Sequence, residues 1–255
     1  MCFFAAWFKF SVMSKSTTWS PAPASLSLQS GEIHVWRIDL EQPEDVVQRF
    51  RSTLEDDEIY RANRFHFEKD RRAFIVSRGF LRHVLGRYLA TGPAALRFAY
   101  GPYGKPALNG EHKNSSLRFN MSHSRAVGLV AVSDNKELGV DVEYIRADFA
   151  SEDIARRFFS PHEVAAFNSL SNELRVAAFF RCWTRKEAYI KAIGRGLSQP
   201  LDGFDVTLAP EKPPALLRAN DDDASRWSLS DIDVGSDYAA ALMVEGQISE
   251  LRYWQ

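Results

Sequence analysis

Cysteine is nearly absent from this chain: Cys2 and Cys182 are the only two among 255 residues, and they share no motif. That scarcity excludes a disulfide framework and a thiolate metal centre, and it makes a reducing compartment, the cytoplasm, the expected setting. An excess of one charge is also lacking. With 32 Lys and Arg against 33 Asp and Glu the net charge is -1. Wholesale coating of nucleic acid is therefore excluded, and the many arginines leave room only for a local basic patch and a small polyanion. Long apolar runs are missing too. Met1 to Val12 is apolar and aromatic, but it has no basic start and no clear cleavage site, and it is too short to span a bilayer. No membrane partner is expected. Ser14 to Ser30 is rich in Ser, Thr, Pro and Ala, with Met13 an alternative start, so residues 1–30 read as a flexible extension. The folded part is expected to begin near Gly31.

What is present is a normal globular balance, 45% hydrophobic and 25% charged, sufficient for one large domain or two small ones. Ile33 to Ile38 alternates and ends at a polar turn, the pattern of a strand. Asp70 to Ala90 sets Phe74, Leu81, Val84, Leu85 and Tyr88 along one helical face, with an arginine-rich face opposite and Gly92-Pro93 as the stop. Leu96 to Ala99, Val127 to Val132 and Leu138 to Tyr144 read as strands, the last two as a hairpin across Ser133-Asp134-Asn135-Lys136. Ser160-Pro161-His162-Glu163 is a capping box opening a short helix. A long helix follows from about Asn172 to Ile193, closed by Gly194 and Gly196. Phe204 to Leu208 and Tyr238 to Val244 supply late strands. No sequence repeat is evident, yet strand, helix, strand, strand occurs in each half.

Two segments place carboxylates where the pattern asks for apolar side chains. In Gly139-Val140-Asp141-Val142-Glu143 the strand period sends Asp141 and Glu143 to one face, where their mutual repulsion invites a hard divalent cation such as magnesium. An edge strand showing acids to water is the alternative. In the long helix Val176, Phe180, Trp183, Glu187 and Ile190 follow a three-or-four spacing, which puts Glu187 inside the apolar stripe. There the alternative is an intrahelical ion pair with Lys191, one turn on. Gly101-Pro102-Tyr103-Gly104-Lys105-Pro106 is a tight loop suited to bringing amides and a cation to a phosphate, or a plain turn. In Phe119-Asn120-Met121-Ser122-His123-Ser124 the Ser-His pair contacts phosphate or caps a turn; no Ser-His-Asp triad is asserted.

Taken in order, Tyr103 to Pro106, Phe119 to Ser124, Gly139 to Glu143, Phe158 to Glu163 and Trp183 to Lys191 resemble the motifs of the Sfp-type 4'-phosphopantetheinyl transferases. The resemblance runs from about Gly31 to Val244, and the motif at Trp183 to Lys191 is the most specific. It implies an α+β fold of two similar subdomains with antiparallel sheets and packed helices, related by a pseudo-twofold axis, here residues 31–137 and 138–255. It also implies a monomeric, holo-[acyl-carrier-protein] synthase type enzyme. Such an enzyme moves phosphopantetheine from coenzyme A to a serine of an acyl or peptidyl carrier protein and releases adenosine 3',5'-bisphosphate. By the same resemblance Asp141, Glu143 and Glu187 would hold Mg2+ against the pyrophosphate. Gly101, Gly104, Lys105, Pro106, Ser122 and His123 would contact coenzyme A. Lys191 would stabilise charge on the leaving group, and Glu187 would also be the base for the carrier serine. The helix bearing Lys69, Arg71, Arg72 and Arg78 would supply cations for the 3'-phosphate. An arginine that some members carry falls at Ala73, so that role passes to Lys69 and Arg72. Two other readings use the same residues: a magnesium-dependent hydrolase of nucleotides or pyrophosphates, and a non-catalytic module that binds coenzyme A or a carrier protein.

Overall fold

The computed structural model describes residues 17–255; Met1 to Val12 and Met13 lie outside them. In the first half β1 (Glu32–Asp39) leads to α1 (Glu44–Arg51), α2 (Asp56–Asn63) and the long α3 (Glu68–Tyr88). A small hairpin follows, β2 (Arg97–Tyr100) and β3 (Pro106–Asn109), then β4 (Leu117–Ser124) and β5 (Val127–Asp134). The second half opens with β6 (Leu138–Tyr144), followed by α4 (Glu152–Phe158), α5 (Pro161–Ser169) and the long α6 (Asn172–Ile193). It closes with a second small hairpin, β7 (Phe204–Val206) and β8 (Leu216–Ala219), then β9 (Trp227–Asp231), β10 (Tyr238–Glu245) and β11 (Glu250–Trp254).

The fold is α+β, and its topology repeats. One sheet runs β11-β1-β5-β4 and the other β6-β10-β9, so with β11 set aside the first, last and next-to-last strands of each half stand in the same order. Pairing is antiparallel throughout except for β11, which returns to lie parallel to β1. Strand alternation explains the layering: Ile33, Val35, Leu129 and Ala131 from one sheet share a dry cluster with Val140, Val142, Leu242 and Val244 from the other. The other side of β1 carries Trp36, packed with Leu81, Val84 and Leu85 of α3. In the second half Phe180, Ala188 and Ile190 of α6 pack with Ala241 and Met243 of β10.

Three expectations change. Val127 to Val132 and Leu138 to Tyr144 do not form a hairpin: both edges of β5 are taken by β1 and β4, and Asn135, at φ 52, turns the chain into the second sheet. Residues 17–30 are not a loose lead-in. The Ser20 N–H donates to the Tyr253 carbonyl at 3.0 Å, Trp19 meets Tyr253 edge-on, and Ala22, Leu26 and Leu28 pack on the core under α3. Nor is the arginine face of α3 wholly wet. Arg78 and Arg82 are buried, both bonded to Glu58 of α2 (3.0 and 2.7 Å from their Nε), and Arg82 also reaches Glu55. Arg78 is therefore committed to a carboxylate partner and is not a free cation for a phosphate. No described helix is long and apolar enough to cross a membrane.

Candidate active site

The site is built where α6 lies on β6, and a glycine allows it. A Cβ on Gly139 would fall 2.1 Å from the Ala188 carbonyl oxygen and 2.4 Å from the Ala192 nitrogen, both backbone atoms. Only glycine lets the helix settle that close. Glu187 and Lys191 are the chain neighbours of those two alanines, so the close approach brings them to the strand face carrying Asp141 and Glu143.

The strand β4 supplies the other wall. Its alternate side chains meet alternate amides of β6: Asn120 Oδ1 accepts from the Val140 N–H at 3.0 Å, Ser122 Oγ from Val142 at 3.4 Å, and Ser124 Oγ from Tyr144 at 3.0 Å. The edge of β6 turned away from β10, which has no backbone partner strand, is thus sealed by side chains. The hydroxyls also orient the acids, Ser122 donating to Asp141 Oδ1 and Ser124 to Glu143 Oε2, each at 2.9 Å. Lys191 Nζ donates to Asp141 Oδ1 at 2.6 Å and to Ser122 Oγ at 2.9 Å. Its ion pair is with Asp141 across the cleft and not with Glu187 along the helix.

Electrostatics follow from this crowding. Burial, and then the Asp141 charge, pushes Glu187 up to about 6, against an opposing pull from Lys191. Glu143 is raised by the same two causes in the same order. Desolvation and the Lys191 ammonium depress His123, partly countered by Asp70 at the start of α3. One atom of the site remains unanswered: Asp141 Oδ2 is buried and has no hydrogen-bond partner among the described residues. Two carboxylates of raised proton affinity beside the Asp141 charge, with a buried Asp141 acceptor left open, fit a hard divalent cation. Among the described residues no group of three or more His, Cys, Asp or Glu side chains stands ready-made to hold a metal ion, so the three acids do not yet close a cage.

A pocket of about 260 Å3 opens beside them, bounded by Tyr103 to Pro106 from the first half and by Glu187 and Lys191 from the second. Asp141, Glu143, Glu187, Lys191 and Ser122 are thus gathered at one place, with Gly104 and Pro106 on the rim. Lys105 also lines the pocket, but its amine is engaged by Glu137 Oε2 at 2.9 Å, the Leu138 carbonyl at 3.3 Å and the Ala192 carbonyl at 2.9 Å. Arg72 is bound to Glu44 and, at 2.9 Å, to the Gln42 carbonyl. Lys69 is exposed. Asn120, Ser124 and Glu137 were not singled out by sequence reasoning. Polar residues at every second position from Asn120 to Ser124 were the available signal for the first two; nothing local marks Glu137.

Comparison with known proteins gives the family. Residues 137–243 match the family described as the 4'-phosphopantetheinyl transferase superfamily, and residues 41–135 match that described as 4'-phosphopantetheinyl transferase, N-terminal. The chain is 41% identical over 237 residues to the 4'-phosphopantetheinyl transferase HetI of Nostoc sp., covering 93% of this chain and 98% of that protein. It is 30% identical over 161 residues to the 4'-phosphopantetheinyl transferase Sfp of Bacillus subtilis, covering 63% and 69% of the two. This protein belongs to the 4'-phosphopantetheinyl transferase family.

Proposed function

We propose that this chain transfers 4'-phosphopantetheine from coenzyme A to a serine of an acyl or peptidyl carrier protein, with Mg2+, releasing adenosine 3',5'-bisphosphate. The observation that carries the reading is the buried, unpartnered Asp141 Oδ2 beside two carboxylates of raised proton affinity, at the edge of a pocket between the two halves. The serine hydroxyl attacks the pantetheine-side phosphorus, the bond from that phosphorus to the bridging oxygen breaks, and the bisphosphate leaves with the electron pair. Glu187, whose proton affinity is raised to about 6 without the metal, accepts the serine proton. Asp141, Glu143 and Glu187 would hold the metal, which when bound supplies charge neutralisation at the pyrophosphate. Lys191, released from Asp141, adds positive charge on the leaving side. Gly104 and Pro106, on the pocket rim, together with Gly101 and His123 would contact coenzyme A, and exposed Lys69 remains the candidate for its 3'-phosphate. Ser122 serves by holding Asp141. The same reading treats residues 31–137 and 138–255 as the two subdomains of a cytoplasmic monomer of the holo-[acyl-carrier-protein] synthase type.

The test is mass spectrometry of an apo carrier protein incubated with coenzyme A, Mg2+ and the enzyme. A gain of one phosphopantetheine on the carrier is expected, lost with Asp141→Ala while the circular dichroism spectrum is retained. Free phosphopantetheine with an unmodified carrier would instead identify a hydrolase. Undiminished transfer by Asp141→Ala would refute the metal-site assignment.

A further inference from the structure

Lys105 sits in the loop of the first half, yet the acceptors of its amine lie at the junction with the second half, Glu137, and within it, Leu138 and Ala192. Glu137 and Leu138 stand at the entry to β6, and Ala192 lies in the last turn of α6. The Ala192 carbonyl is one of the four at a helix end that lack an intrahelical donor, and a cation there also meets the negative end of the helix dipole. The stem of the side chain is seated as closely as its head. A Cβ on Gly194 would come within 3.3 Å of Lys105 Cδ, and one on Gly196 within 3.1 Å of Tyr103 Cβ. Both glycines have positive φ, 68 and 55, so the turn closing α6 has the conformation, and lacks the side chains, that receiving this loop requires. The loop closes on itself through Gly101 N–H to the Lys105 carbonyl at 3.0 Å.

We infer that Lys105 is a positioning residue, clamping the Gly101–Lys105 loop to the C-terminal turn of α6 and so setting the span between that loop and Glu187 and Lys191. An ammonium has three protons, and all three are used in the clamp. None is left for a ligand oxygen while the clamp holds. Glu137 anchors it from the other side and is itself approached by Arg118 Nε at 3.4 Å. The inference rests on the transferase reading for its kinetic consequence but not for its geometry.

The test is a double-mutant cycle on the full-length protein with Lys105→Met and Glu137→Gln. Lys105→Met is expected to lower kcat roughly 10- to 100-fold, the scale on which misplaced reacting groups act. Glu137→Gln lowers it in the same direction by a smaller factor. The double variant is no worse than Lys105→Met alone, because the two side chains act through one contact. Hydrogen exchange without coenzyme A or carrier should quicken at the amides of residues 101–105 and 194–196 in both single variants. Wild-type kinetics and wild-type exchange in Glu137→Gln, together with a rise confined to KM for coenzyme A in Lys105→Met, would overturn the clamp and make Lys105 a phosphate ligand. If Lys105→Met does not fold, exchange in Glu137→Gln, whose side chain is half-exposed, decides alone. Exchange is independent of turnover, so failure of the wild type to modify a carrier would sink the functional reading and leave the clamp standing.

Discussion

Glu187 holds its proton to about pH 6 because water is withdrawn from it and Asp141 stands nearby. A carboxyl whose folded affinity exceeds its ordinary 4.5 favours the folded state most below that value, and the benefit is lost as pH rises through about 6. Relative to acid conditions, the ionised side chain then costs about 2 kcal/mol at about pH 8. Glu143 acts in the same direction. Glu187→Gln is therefore expected to raise the thermal midpoint of the metal-free protein at about pH 8, to leave it unchanged at about pH 4, and to abolish transfer. Equal midpoints at both pH values would show that Glu187 is not strained by its neighbours. The strand period was enough to pair Asp141 with Glu143 on one face, and helical spacing was enough to draw Glu187 inside. The partner of Lys191 was not legible, since Glu187 is near in sequence while Asp141 and Ser122 are near only in space.

Among the elements, α6 departs furthest from its apparent amphipathicity. Its apolar stripe was readable, but Arg185 and Lys186, which look like surface residues, are among the largest fully buried side chains. Lys186 Nζ bonds both oxygens of Glu163, at 2.8 and 2.6 Å, and the Phe204 carbonyl at 2.7 Å. Glu163 also accepts the Ser160 and Val206 N–H groups, so the capping box seen in the sequence opens α5 and at the same time fastens it to α6 and β7. Removing one partner strands a buried charge. Lys186→Ala should cost about 3–5 kcal/mol in urea unfolding, and joining Lys186→Met to Glu163→Gln should recover part of that loss. A neutral Lys186→Ala would mean that the pair holds nothing. The box itself was legible because Ser160, Pro161 and Glu163 lie within four residues of one another. The burial of Lys186 depended on β7, some twenty residues further on.

For the whole molecule, the site lies between two halves, and whatever fills it should stabilise both. Magnesium together with coenzyme A, at 100 times the dissociation constant, is expected to add about 2.7 kcal/mol and to raise the unfolding midpoint with ligand concentration. Asp141→Asn should remove the magnesium-dependent part, as read by scanning calorimetry; an unchanged increment would place the metal elsewhere. The sequence by itself determined the mixture of strands and helices, the long helices, the α5 cap and the identity of the acids, because periodicity, capping and turn chemistry act over a few residues; the α+β class came with the family resemblance. Only the tertiary structure decided that β6 turns away from β5 into a second sheet, that Lys191 faces Asp141, that Arg78 and Arg82 are consumed by α2, and that Lys105 reaches across to α6. Each of those depends on which polar group is brought within hydrogen-bond distance when two distant surfaces meet. Local pattern carries no term for that.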